Sequence, residues 1–298
     1  MKNKTLKNKK FRYSNCGPIK RNKTKKNSCL DDKSIIYLKN VYNEHNKQHK
    51  ITSNNPKKIW VELKKNIHEC NNEQCWLKFI NNKKIVDKIN KIYFAPKQPL
   101  TWKKNPNMWL YDRDIFNVLK QYEIEYPSFR FIGPTPIDFD SSIDIFHNCV
   151  TQEMCDFSLE NYLHNKINKI GIIFNLDKHY ESGSHWTSLF IDLTDNFIYY
   201  MDSVGNTYPN EVDIFIKRII SENKKLNRKD FKLYVNNIEH QKGDSECGMY
   251  SLYFIITLLT DKVNNKKFKS YDDKIKYFSK KRITDNFIFQ HRDKYFNK

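Results

Sequence analysis

Apolar side chains follow no period over residues 1–28, which therefore read as a disordered tail. From about residue 33 they return at helical intervals: Ile35, Ile36, Leu38 and Val41, then Trp60, Leu63 and Ile67, then Trp76, Phe79, Ile80 and Ile85. Pro96 and Pro99 punctuate the chain after this helical stretch. The pattern predicts a tail over 1–28, a helical region over 29–98 and a larger domain over 99–298.

Within that larger domain the period alternates between helix and strand. Ile115, Val118, Leu119 and Tyr122 make one apolar face behind Asp112, a candidate cap. Gly133-Pro134-Thr135-Pro136 reads as an extended loop, and Phe157, Leu159, Tyr162 and Leu163 as a short helix. Three strand-like runs follow, 169–175, 186–192 and 197–202, the last two joined by the turn Thr194-Asp195-Asn196. Val212, Phe215, Ile216, Ile219 and Ile220 predict an amphipathic helix, and Phe231, Leu233 and Val235 alternate as a strand. Met249 to Leu259 is too long an apolar run for a strand and reads as a buried helix. The class is α+β: a central mixed or antiparallel sheet flanked by helices, with a helical region ahead of it.

Composition adds three constraints. No apolar run approaches the ~18 residues of a membrane span, and the basic N-terminus lacks the apolar stretch of a secretory signal, which points to a cytosol-like compartment. The seven cysteines are odd in number and irregularly spaced, so reduced thiols are expected rather than a disulfide framework. The net charge is +19, and residues 1–26 hold 11 Lys or Arg and no acid. A solvated tail is the plain reading of that block; a nucleic-acid contact, a nuclear-targeting signal and a packaging tether are its alternatives. With seven glycines in the chain and no glycine-rich phosphate loop, a nucleotide cradle is not expected.

Candidate chemistry gathers around Cys247. It lies in Gly243-Asp244-Ser245-Glu246-Cys247-Gly248, a polar turn opening directly into the apolar helix. The sulfur therefore meets a helix N-terminus, where unpaired N–H groups and the dipole favour a thiolate, and Gly248 would let a substrate backbone approach. His185 stands at the mouth of a predicted strand, and Asp202 ends the strand that returns from the hairpin. Antiparallel pairing makes these two neighbours, so the acid can fix the tautomer of the imidazole. Asp192 and Asp195 lie at the other end of the hairpin. Gln241, six residues before Cys247, can donate to an oxyanion together with the Cys247 N–H.

His185-Trp186, Asp202-Ser203, Gln241 and the Asp-x-x-Cys-Gly setting of Cys247 resemble the ubiquitin-like-protein-specific proteases, the clan of the SUMO and adenovirus proteases, over roughly residues 105–260. The resemblance implies a triad of His185, Asp202 and Cys247, with Gln241 in the oxyanion hole. Trp109-Leu110-Tyr111-Asp112 is similar to a further element of that family, with Tyr111 standing where the family has Asn. Carried over, Trp109 and Trp186 would line a tunnel that admits a chain ending in Gly-Gly. The 60–89 region, the 133–139 segment, Arg282-Ile283-Thr284-Asp285 and Arg292 look most like the proteases of large cytoplasmic DNA viruses, and the Lys/Asn bias suits a giant virus of amoebae.

From this follows the expectation of a cysteine endopeptidase acting on viral core or capsid precursors, located in the virion and, during synthesis, in host cytoplasm. Processing of ubiquitin-like modifiers is one alternative, and a basic nucleic-acid-binding particle component another. No cofactor is expected. His68, Cys70 and Cys75 lack a fourth ligand at usable spacing, so no metal is expected either.

Overall fold

A computed structural model describes residues 11–18, 28–146 and 148–298. It divides into two compact units, one of residues up to 97 together with Asp293–Lys298, the other Gln98–Arg292.

The first unit is helical, as the apolar spacing predicts. Helix α1 (Asp32–His45) starts where the Asp31 carboxylate accepts the Ser34 N–H at 2.7 Å. Helix α2 (Pro56–Asn66) starts on Asn55 with proline in its first turn, and α3 (Lys83–Tyr93) on Asn82. Ile35 and Leu38 of α1 and Ile59 and Leu63 of α2 bury against Trp76 and Leu77 of an intervening 3₁₀ helix, Gln74–Phe79. Two expectations change here. Residues 11–18, placed in the tail from their polarity, pair with this unit: Cys16 bridges Phe94, and the Ala95 N–H donates to Asn15 O at 3.0 Å. The rest of the predicted tail before Ser28 lies outside the described residues. Asp293–Lys298, read with the larger domain, also join this unit, where the Asn297 side chain donates to Ala95 O and Asn15 O at 2.8 Å.

The second unit opens with α4 (Asp112–Glu125), whose buried face is the predicted Ile115, Val118 and Leu119. Its cap is Tyr111 rather than Asp112, with the Tyr111 N–H donating to the Asp114 carboxylate at 3.0 Å. After it come β1 (Phe129–Pro136), α5 (Gln152–Cys155), α6 (Leu159–His164), β2 (Lys169–Asn175), β3 (Trp186–Asp192) and β4 (Phe197–Met201). The remainder is α7 (Asn210–Lys225), β5 (Lys232–Val235), α8 (Cys247–Thr260), a small hairpin of β6 (Lys262–Val263) and β7 (Lys266–Lys267), α9 (Tyr271–Lys280) and α10 (Asp285–Phe289). The sheet order is β1-β2-β3-β4-β5, with antiparallel pairs in the middle and a parallel pair at each side. Strand β1 takes in the Gly133–Pro136 segment expected as a loop. Prolines, which cannot donate to a ladder, are tolerated because β1 is an edge strand and its register shifts between Ile132 and Thr135.

Alternation along the strands separates two cores. Ile170, Ile172 and Phe174 of β2 face α6 and α7, where Val212, Phe215, Ile216 and Ile219 meet them. The opposite face receives α8, buried from Cys247 to Leu259. Gly171 allows that approach: a Cβ there would stand 2.9 Å from Ile255 Cγ2 of α8.

Six of the seven cysteines are paired, Cys16–Cys29, Cys70–Cys75 and Cys149–Cys155, which corrects the expectation of reduced thiols. The pairs are local, 13, 5 and 6 residues apart, so their regularity is hidden when all seven spacings are read together. Only Cys247 is free.

Candidate active site

Strand β3 starts where β4 ends, because Ser188 lies opposite Met201 in an antiparallel pair. His185, just ahead of β3, and Asp202, just past β4, are thereby brought together across 17 residues of chain: His185 Nε2 lies 2.7 Å from Asp202 Oδ1. The same oxygen accepts the Val204 N–H at 3.0 Å. The Asp202 backbone is held as well, its carbonyl accepting from the Asn236 side chain at 2.8 Å. Asn236 follows β5, which pairs in parallel with β4, and its N–H donates to Tyr200 O at 3.0 Å.

Beyond Asn236 the chain returns towards α8 and carries Gln241 with it. The main-chain N–H groups of His240 and Gln241 both donate to Ser203 O at 2.8 Å. His240 is fully buried; Nδ1 accepts the Ile283 N–H, so Nε2–H must donate to Phe278 O, each at 2.9 Å. Burial pulls its pKa below the ordinary histidine value, consistent with a neutral, structural ring. The Gln241 amide is oriented from both ends. Its Oε1 accepts the Ser203 hydroxyl at 2.8 Å, and its Nε2 donates to Gly243 O. A carbonyl can only accept, so the amide cannot be flipped, and one Nε2 hydrogen is left for another acceptor.

Cys247 is the first residue of α8, and no side chain caps that helix start. The N–H groups of its first turn therefore aim their partial positive charge at the sulfur. Burial lowers the pKa of His185, but the hydrogen bond to Asp202, then the hydrogen bond and charge of Cys247, outweigh it and push the value up to about 10. With Nε2 occupied by Asp202, Nδ1 is the ring nitrogen that remains for sulfur. An imidazolium held to so high a pH stabilises a neighbouring thiolate, the form that attacks carbonyls.

The tryptophans and Gly248 separate. Trp186 is buried, and its indole N–H donates to Leu110 O at 3.0 Å. It lines a groove of about 460 Å³ with Tyr111, Asp112, Pro134, Thr151 and Gly183. Trp109 is half-buried next to Leu110 and is not among the residues lining that groove. Gly248 is closely packed: a Cβ there would lie 3.2 Å from both Leu110 Cβ and Trp186 Cδ1. Ser203, Asn236 and His240 were not singled out as supports of the site. Ser203 had a signal, standing beside Asp202. The other two are recognisable only once β5 lies beside β4.

Cys70 and Cys75 are joined to each other, and among the described residues no group of three or more His, Cys, Asp or Glu could hold a metal ion.

Residues 156–297 match the Ulp1 protease family, C-terminal catalytic domain. A protein of Acanthamoeba polyphaga mimivirus, named as a thiol protease, is 34% identical over 153 residues, 51% of this chain and 48% of that protein. The matched stretch thus spans about half of that relative's length. The cysteine protease of African swine fever virus (strain Badajoz 1971 Vero-adapted) is 26% identical over 255 residues, 79% of this chain and 88% of the relative. A crystal structure of the African swine fever virus protease has the same fold, with a TM-score of 0.64, 21% identity and 95% of each chain covered. Over residues 156–297 the chain thus resembles the C-terminal catalytic domain of the Ulp1 protease family, and the relatives it matches are named as thiol and cysteine proteases.

Proposed function

We propose that this chain is a cysteine endopeptidase that cleaves after Gly-Gly-type sites in the structural precursors of a viral particle, and that it travels in the virion. The observation that carries the peptidase chemistry is the 2.7 Å contact of His185 with Asp202, with Cys247 at the head of α8 close enough to help raise the pKa of the same ring. The thiolate adds to the scissile carbonyl carbon, and the charge that appears on oxygen is met by the Cys247 N–H and the remaining Gln241 Nε2 hydrogen. His185 gives its proton to the departing amine, leaving a thioester. It then takes a proton from the water that hydrolyses the thioester, and the thiolate leaves. Asp202 holds the ring and stabilises its charged form throughout.

Support for a viral substrate comes from the relatives, which are proteins of a giant virus and of African swine fever virus. Support for Gly-Gly is physical: indole faces such as Trp186, with Trp109 as its candidate partner, can close on a backbone only where side chains are absent. A second reading is processing of ubiquitin-like modifiers, favoured by a relative from the Warthog isolate that bears the name SUMO-1 cysteine protease. Mapping new N-termini in particle proteins made with active and with Cys247→Ala enzyme tests the first reading. Gly-Gly cuts that persist with the alanine variant would reject it. Labelling by C-terminal modifier probes, without precursor cleavage, would select the second. The basic residues of the tail are the candidate nucleic-acid contact, and salt-dependent DNA binding that survives deletion of residues 1–26 would exclude them.

A further inference from the structure

The residue immediately before the nucleophile is an acid. Glu246 is 4% exposed, and a carboxylate buried one residue from a thiol opposes formation of the thiolate. Both of its oxygens are taken by one residue from far along the chain: Arg292 Nη2 donates to Oε1 at 2.6 Å and Nε to Oε2 at 3.2 Å. Arg292 is equally buried. Its guanidinium centre lies 4.2 Å from the Trp102 ring centroid and 5.0 Å from that of Phe289, and Nη1 donates to Pro106 O.

The other polar groups around the pair do not substitute for Arg292. The Ser245 hydroxyl is 3.3 Å from Glu246 Oε1 and is neutral. Asp285 is a second acid acting on Glu246, and it is itself paired with Arg282 at 2.8 Å. On the other side of the thiol stand His185 and Asp202, already committed to each other. Arg292 is thus the cation that cancels the charge of Glu246. Its planar fork also anchors the residue whose carbonyl accepts the Tyr250 N–H at 2.8 Å, the hydrogen bond that sets the first turn of α8.

We propose that Arg292 is a positioning residue for the nucleophile: its bidentate pairing with Glu246 neutralises the acid beside Cys247 and fixes the start of α8. The inference rests on Cys247 being the nucleophile. It extends the site to a residue 45 positions downstream that touches no reacting atom.

The test is the pH profile of Cys247 alkylation by iodoacetamide in the full-length chain, read without any substrate. In Arg292→Met the uncompensated carboxylate should raise the alkylation midpoint by about one to two units, a fall of tenfold or more in rate below the midpoint. Glu246→Gln, which keeps the shape of the side chain and leaves the cation unopposed, should lower the midpoint. The double variant should return to wild type. A purely structural role would slow all variants without opposed shifts. Should Arg292→Met fail to fold, the downward shift in Glu246→Gln still decides. An unmoved midpoint there, or a double variant no closer to wild type than Arg292→Met, overturns the proposal. Failure of the nucleophile reading looks different: wild-type alkylation would then be indifferent to His185→Ala.

Discussion

Replacing Asp202 by asparagine isolates charge from shape at the centre of the site. Burial alone would hold the His185 imidazole below its ordinary value; the Asp202 hydrogen bond and the Cys247 contact lift it to about 10. Asparagine can still accept through Oδ1 from the ring and from the Val204 N–H, as Asp202 does now. What is lost is the ionised character of the acceptor. A hydrogen bond to a charged group contributes about 1.5–3 kcal/mol and a neutral one about 0.5–1.5, so the imidazolium loses about 1–1.5 kcal/mol of support. That is about one pKa unit. The alkaline limb of kcat/KM, where His185 deprotonates, should therefore move from about 10 to about 9, with activity in the alkaline range falling about tenfold. There is also a cost in stability. Asp202 Oδ2 is buried without a hydrogen-bond partner, and an amide N–H₂ in its place becomes an unsatisfied donor worth about 1–3 kcal/mol. The assay is kcat/KM against pH on a peptidyl-Gly-Gly ester, paired with urea melts so that unfolding is not mistaken for lost catalysis. An alkaline limb that stays within a few tenths of a unit of wild type, on a folded variant, would refute the assignment of Asp202 as the charge behind His185.

Other outcomes follow from the same geometry. Gln241→Ala should lower kcat about 100- to 1000-fold with KM little changed, and an equal rise in KM would show that the amide binds substrate instead of the oxyanion. His185 is raised in the folded state, so its contribution to stability is fully present below about 6.5, its ordinary value, and is lost as pH rises through about 10. Urea midpoints measured across that window should fall with pH in wild type and fall less in His185→Gln. Gly171→Ala should destabilise by about 1–3 kcal/mol, because its Cβ meets Ile255 Cγ2 at 2.9 Å, and an unchanged urea midpoint would show that α8 can shift on the sheet. Denaturation without reductant followed by alkylation and mass spectrometry should modify one cysteine, Cys247, and more than one modified thiol would contradict the three disulfides.

Local pattern was enough for much of this protein. The helical spacing of Ile115, Val118 and Leu119, the hairpin turn at Thr194–Asn196 and the apolar run after Cys247 each encode an element within a dozen or so residues, and the structure contains all three. The pairing of His185 with Asp202 was legible for the same reason. A short antiparallel hairpin converts a separation of 17 residues into a contact by geometry alone. Tertiary structure decided what no short window contains. Strand β1 is a strand because β2 lies beside it, though its prolines argue otherwise. Gly248 is small because Leu110 and Trp186 fill the space above it. Glu246, an acid beside a thiol, is paired with Arg292 from 46 residues away. A buried charge, a missing side chain and a ladder partner are each settled by what packs against them, and a linear chain does not reveal its distant neighbours until it has folded.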